Sequence, residues 1–129
     1  MVISNFQVPE ASGDFCSRGG RFGTHASNES MASIFYKKIV FLSYFNAGVR
    51  AVDVRDPYHP KEIGYFIPAI TAATDKRCLK VNEQDSCKIA IQTNNVETDD
   101  RGYIYIVDRA NTGMHILELT GEASAVATH

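Results

Sequence analysis

Residues 39–54 read Ile39-Val-Phe-Leu-Ser-Tyr-Phe-Asn-Ala-Gly-Val-Arg-Ala-Val-Asp-Val54, and residues 104–119 say nearly the same thing again. The second copy is Ile104-Tyr-Ile-Val-Asp-Arg-Ala-Asn-Thr-Gly-Met-His-Ile-Leu-Glu-Leu119, and it aligns on the first without a gap. Asn46 falls on Asn111, Gly48 on Gly113 and Asp53 on Glu118, with apolar residues matching through both arms. Each copy has two β-rich arms around an Asn-x-Gly turn, the pattern of a hairpin. Gly48 and Gly113 are assigned to turn geometry, where glycine supplies φ > 0 without steric cost. Asn46 and Asn111 are assigned to the same turns because Asn tolerates that conformation. A hairpin repeated at long period predicts a repeat architecture, and repeated β-hairpins predict propeller blades.

The rest of the chain is read outward from these hairpins. No stretch keeps an i, i+3, i+4, i+7 apolar stripe, whereas β-branched and aromatic runs recur between turn formers, so the fold class is all-β. Residues 2–8 read as a strand and 10–20 as a loop. Residues 22–27 are a short extended piece, and 31–38 lead into the next strand. Residues 39–45 and 49–54 make the first hairpin. Asp56-Pro57-Tyr58-His59-Pro60 is a rigid turn, and residues 62–67 are an outer strand of the same sheet. Residues 71–88 are a charged insertion with no counterpart in the repeat. Strands follow at 89–96, 103–108 and 113–119, and residues 121–129 read as a frayed tail of small residues. In propeller order this gives one lone outer strand (2–8), a blade (20–68) and an incomplete blade (89–119). About two blades' worth of four-stranded antiparallel sheet are thus cut out of phase with the blade boundary. The 129 residues are a partial propeller domain, or one completed by oligomerisation, with one end lending the strand the other lacks. Three copies would close a six-bladed ring, within the usual four to eight blades.

At Val52-Asp53-Val54-Arg55-Asp56-Pro57 and Tyr105-Ile106-Val107-Asp108 the chain resembles the LVIVD-repeat proteins, a β-propeller family. The shared phrase is an apolar strand closing on Asp, then Asp56-Pro57, Pro60-Lys61-Glu62-Ile63-Gly64-Tyr65 leading to the outer strand. The resemblance covers residues 39–68 and 103–121 and implies a propeller whose activity is largely unassigned. It also implies an extracytoplasmic or envelope-associated setting. More distantly, the pattern is similar to the selenium-binding, methanethiol-oxidase-type propellers. Those carry a metal centre built from several histidines, and this chain lacks their histidine-rich motifs.

Bulk composition excludes some classes and names none. With 44% hydrophobic and 22% charged residues, the chain has an ordinary globular composition. A net charge of -2 gives no footprint for nucleic acid. No apolar run approaches the roughly 20 residues of a membrane-spanning helix. The first residues lack the basic start and apolar run of a signal peptide. Cys78 and Cys87 bracket a polar loop and are a candidate disulfide; two free thiols are the alternative, and Cys16 is left single.

Chemistry is expected where polar groups precede the repeated hairpins, on the strands that would line a propeller channel. His25, Asn28 and Glu29 precede the first hairpin; Asn94, Asn95 and Glu97 precede the second. His25, Glu29 and Glu97 suit a divalent metal or a proton-transfer pair, and no other cofactor motif is evident. The competing account is that these groups bond backbone and water. Arg18 and Arg21, in Arg18-Gly-Gly-Arg21, are candidates for holding an anion. His59 reads as a turn residue. His115, aligned with Arg50, marks a position facing solvent or a neighbouring blade. Asp53 and Asp108 read as acceptors for backbone N–H groups at strand ends. Asn28-Glu29-Ser30 matches a glycosylation sequon. The expected role is a binding or interaction module for a small molecule or protein. Its alternative is a propeller enzyme or metal protein with a channel-mouth site at His25, Glu29, Asn95 and Glu97. The two non-repeated segments, 10–23 and 71–88, are expected to cover that mouth together.

Overall fold

A computed structural model describes residues 1–12, 15–30 and 32–129; Gly13, Asp14 and Met31, with the side chains of Ser12 and Cys16, lie outside the described residues. The class is all-β. Four strands, β1 (Phe22–Ser27), β2 (Ile39–Phe45), β3 (Val49–Asp53) and β4 (Lys61–Phe66), form one antiparallel meander. A separate hairpin, β5 (Lys76–Val81) and β6 (Gln84–Ile89), leads into β7 (Thr93–Thr98), β8 (Ile104–Asp108) and β9 (Met114–Leu117), a second meander. The two meanders join where Phe45 of β2 meets Thr93 of β7, so all seven strands form one curled sheet. A helix, α1 (Gly121–Thr128), closes the chain.

The central strands β2 and β3 of the first meander are covered on both faces, which is why β2 reads as a continuous apolar run rather than an alternation. On one side Phe41, Val49 and Ala51 pack against Val96, Ile104 and Ile106 of the second meander. On the other, Tyr44, Ala47 and Leu42 are covered by Val8, Phe15 and Phe6 from the N-terminal segment. The second meander is covered on one face only. Its free face presents Val107, Met114 and Ile116, which remain 42%, 58% and 57% exposed.

That asymmetry traces to a slip of one residue between the copies. In the first hairpin Tyr44 N–H donates to Gly48 O at 2.7 Å and encloses three residues. In the second, Asp108 N–H donates to Gly113 O at 3.2 Å and encloses four. Phe41 therefore pairs with Ala51, while its counterpart Ile106 pairs with His115. A one-residue slip sends every side chain of the strand to the other face. Val49 and Ala51 go inward, and their counterparts Met114 and Ile116 go outward. The aspartate sets the longer loop: Asp108 Oδ1 accepts from Ala110 N–H at 2.5 Å and Thr112 N–H at 3.4 Å. Ser43, its counterpart in the first copy, instead donates to Asn94 O at 2.6 Å.

The slip also corrects the expectation that Arg50 and His115 occupy one position facing solvent or a neighbouring blade. Arg50 is fully buried on the face covered by the N-terminal segment. Its Nε and Nη2 donate to Ala47 O at 3.1 and 3.0 Å. Its Nη1 bonds both oxygens of Glu10, at 3.1 and 3.0 Å, and Glu62 Oε1 at 3.2 Å. Tyr65 lies beneath the guanidinium, 5.0 Å from ring centre to Cζ. His115 packs instead beside Phe66, with ring centroids 5.5 Å apart.

Three further expectations change. Residues 2–8 form no strand: no ladder partner lies beside them, and Val8 is buried on the first meander while Ser4 Oγ donates to Pro57 O at 2.6 Å. Residues 121–129 are not a frayed tail but α1, whose small residues let it sit close to the sheet. Ala123 and Ala127, one turn apart, are buried, and Lys38 Nζ donates to Ala127 O at 3.0 Å. The strand expected over 89–96 breaks at residues 90–92, with Ile89 ending β6.

Gly48 and Gly113 both have positive φ, 75° and 111°, as their turns require. Their surroundings differ. A Cβ on Gly48 would lie 2.1 Å from Phe66 O and 2.9 Å from Ile67 Cα, whereas Gly113 has open space. Asn111 takes φ 62°, but in the first turn it is Phe45 that does so, at 47°; Asn46 is used through its side chain. We expect Gly48→Asn to cost at least about 3 kcal/mol and Gly113→Asn about 1 kcal/mol, read from urea midpoints. Equal costs would mean the turns are alike. The double change Glu10→Gln with Glu62→Gln, which strands the Arg50 charge, is expected to cost roughly 3–5 kcal/mol, well above either single change. Additive, sub-kilocalorie effects would contradict that.

Candidate functional site

The hairpin-turn end of the sheet is organised by Gln92, which is buried between the two meanders. Its Oε1 accepts from Arg21 N–H at 2.8 Å and its Nε2 donates to Arg21 O at 3.2 Å. Its own N–H donates to Asp108 Oδ2 at 2.6 Å, and its carbonyl accepts from Arg109 N–H at 3.0 Å. One residue, through its side chain and its backbone, thus fixes the approach to β1 against the β8–β9 loop. Arg21 and Arg109 are left exposed on either side of it.

The two non-repeated segments meet at this same end. Lys88 Nζ donates to Ser17 O, and Arg77 donates through Nη2 to Arg109 O. Asp75 N–H bonds Ala110 O at 2.7 Å, and Thr74, buried, bonds the Thr112 hydroxyl at 3.1 Å. On the β5–β6 arm Cys78 and Cys87 are directly opposite in register, 4.0 Å apart at Cα, and form the disulfide.

Five cations therefore gather here: Arg18, Arg21, Arg77, Lys88 and Arg109. None forms an ion pair among the described residues, whose six salt bridges involve other cations. Arg18 lies over the Phe15 ring at 3.9 Å and Arg109 over Phe45 at 5.5 Å. Aromatic faces hold these guanidiniums in place without neutralising them. In a chain of net charge -2, this end is locally cationic.

The remaining sequence candidates lie further along the inner strands. His25, exposed on β1, bonds Asn94 O through Nδ1 at 2.8 Å and stacks edge-on against Phe45. Asn94 and Asn95 hydrogen-bond one another through their side chains. At the opposite end, Glu97 accepts from the backbone N–H groups of Glu29 and Ser30, at 3.2 and 3.0 Å. Burial alone would raise the Glu97 carboxyl, but these bonds overcome it and hold the group below the usual range. Asn28 Oδ1 accepts from Phe41 N–H at 2.9 Å, extending the β1–β2 pairing. The structure thus brings Arg18 and Arg21 together and leaves Asn28, Glu29 and Glu97 at the other end. Among the described residues, no three His, Cys, Asp or Glu side chains are grouped to hold a metal ion.

Sequence reasoning missed Gln92, Arg77, Lys88 and Arg109 as parts of one site. Each is isolated in sequence, and only the packing of the arm against the turns unites them. The far end is held by two matched Asp-x-Arg turns. In both Asp53-x-Arg55 and Asp99-x-Arg101 the aspartate accepts from the arginine N–H at 3.0 Å and pairs with its guanidinium at 2.7 Å. Asp53 and Asp108 are thus backbone acceptors, as expected from sequence, and His59 bonds Asp56 at 2.8 Å within its turn.

No family model, curated protein or solved structure matches this chain.

Asp99 gives a pH test of the far-end turns. Burial would raise its pKa, but hydrogen bonds from Arg101, Tyr105 and the Tyr103 N–H outweigh it and lower the value to about 2. A depressed folded-state pKa stabilises above the unfolded value near ~4 and is lost as pH falls toward the folded one. Asp99→Asn is expected to flatten the fall in urea midpoint between pH ~4 and ~2. An unchanged slope would place acid sensitivity elsewhere.

Proposed function

We propose that this chain is a two-blade propeller unit of the LVIVD-repeat type that works as a binding module and completes its ring with further copies of itself. The observation that carries this reading is the unequal covering of the two meanders. β2 and β3 are packed on both faces, as strands between neighbouring blades would be, while β1 and β4 keep exposed side chains. The second meander has three strands, an edge at β9 without a fourth, and an exposed apolar face on β8–β9. An open edge beside exposed apolar residues is a surface that proteins normally cover. Residues 2–8, assigned to no strand, are of strand length and alternate Val2, Ser4, Phe6 and Val8 with Ile3, Asn5 and Gln7. Released from the first meander, where Phe6 and Val8 pack within the chain, they would serve in trans as the missing strand. Donor and acceptor are different surfaces of one chain, so the contact is head-to-tail, the kind of contact from which closed rings are built.

In such a ring every hairpin-turn end faces the same way, and the five cations repeat around one mouth. The ligand or partner is accordingly anionic, and the loops rather than the repeated strands select it. The exposed cross-strand disulfide fits an oxidising compartment, in line with the extracytoplasmic setting that the family resemblance implies.

The test is solution mass. Light scattering is expected to give three times the 14.3 kDa chain mass, and Met114→Asp with Ile116→Asp is expected to return the protein to single chains. A compact monomer of the unaltered chain, stable across concentrations, would overturn the ring.

A further inference from the structure

The arm formed by β5 and β6 is a sheet of its own, and no residue of either strand is buried. A two-stranded hairpin without a packed face is marginal by itself. This one also carries two costs. Arg77 stands directly opposite Lys88, and like charges across a strand pair repel. The turn holds Asn82 at φ 51° and Glu83 at φ 67°, a conformation that suits Gly or Asn and strains Glu. Lys80 pairs with Asp85 at 2.8 Å, but both side chains are well exposed, and such pairs contribute little. The Cys78–Cys87 disulfide, one residue along from Arg77 and Lys88, is the covalent brace that offsets these costs.

Arg77 and Lys88 are also the arm's grip on the rest of the chain. Arg77 donates to Arg109 O in the β8–β9 loop, and Lys88 donates to Ser17 O before β1. Both reach their carbonyls together only while β5 and β6 stay in register. Thr74 and Ala90, 7% and 5% exposed, are buried at the two roots of the arm, so the roots are fixed independently of the disulfide. Successive residues of a strand point to opposite faces, which sets Cys78 and Cys87 on the face away from the grip. Both cysteines are exposed. Exchange with an external thiol depends on that access.

We propose that the Cys78–Cys87 disulfide is a redox switch on the cationic end. Oxidised, it holds Arg77 and Lys88 beside Arg18, Arg21 and Arg109; reduced, it lets the arm open and withdraws them. The reductant is a dithiol. One of its thiolates attacks a protein sulfur, the Cys78–Cys87 bond breaks as a mixed disulfide forms, and the other cysteine leaves as a thiolate that takes up a proton. The second thiol of the reductant then displaces the remaining protein sulfur. Two electrons and two protons pass to the cysteines, and the reductant is left as its own disulfide. Lys76, Arg77, Lys80 and Lys88 outnumber Glu83 and Asp85 on the arm, a surplus that draws in an anionic thiolate. The switch regulates binding only on the reading that this end takes an anion. Its opening, however, is a property of one chain, measured without ligand or ring, so the two fail separately.

The experiment records amide hydrogen exchange and chemical shifts of the intact chain, oxidised and after dithiothreitol, with thiols counted by alkylation and mass. Exchange across residues 76–89 is expected to rise at least about tenfold on reduction. The Ala110 amide, joined to the carbonyl that Arg77 holds, is expected to shift. Tyr44 and Asp108 N–H, which close the two repeated hairpins, should keep their rates, and reoxidation should restore the arm. Cys78→Ser with Cys87→Ser should behave as the reduced chain and ignore dithiothreitol, which excludes an effect through Cys16. A disulfide that dithiothreitol leaves intact in the folded chain, or an arm whose exchange is unchanged by reduction, would overturn the switch. So would exchange rising equally at Tyr44 and Asp108, since the disulfide would then brace the whole fold. A response to dithiothreitol that persists in the double variant would do the same.

Discussion

The buried guanidinium of Arg50 is the interaction on which the first meander and its covering depend. Two of its nitrogens hold Ala47 O and so brace the tight turn between β2 and β3. The third draws in Glu10 from the N-terminal segment and Glu62 from β4. A charge this deeply buried is tolerated only when its hydrogen bonds are met, so the sequence is committed to bringing Glu10 to this face. That commitment lays Val8 and Phe15 over Tyr44 and Ala47 and gives the meander its second packed side.

The second meander has no such anchor. Its longer turn, organised by Asp108, shifts the pairing by one residue and places His115 where it faces Phe66 across the core side. Met114 and Ile116 are turned outward as a consequence. The same hairpin sequence thus yields a strand sealed within the chain in one copy and an apolar surface in the other. An exposed apolar face has been made from a repeat by altering one turn, without altering the hydrophobic pattern of the arms.

Positive charge gathers where the repeat is broken. The loop before β1 and the β5–β6 arm contribute Arg18, Arg21, Arg77 and Lys88, which form no ion pair among the described residues, and Gln92 links the loop to the turn of the second hairpin. Rigid placement matters because guanidiniums fixed by aromatic faces lose less freedom when they meet an anion. The opposite end is built differently. Its Asp-x-Arg turns neutralise their own charges and bind backbone, which suits a structural rim.

The sequence alone determined the all-β class, both hairpins and the positive φ of Gly48 and Gly113, and it offered Cys78 and Cys87 as a candidate pair that the structure joins. These are local properties: alternation, turn chemistry and short loop closure act over a few residues. It also marked Arg18 and Arg21, because two arginines around a glycine pair are visible without a fold. Tertiary structure alone decided that residues 2–8 lie unpaired and that 121–129 form a packed helix, since both depend on distant partners. It alone separated Glu97 from Arg21, placed Arg77, Lys88 and Arg109 beside Arg18, and buried Arg50 while leaving its aligned counterpart His115 on the other face. The reason is physical. A gapless alignment records which residues follow one another, whereas the face a strand side chain occupies is set by hydrogen-bond register, and one more residue inside a turn reverses it.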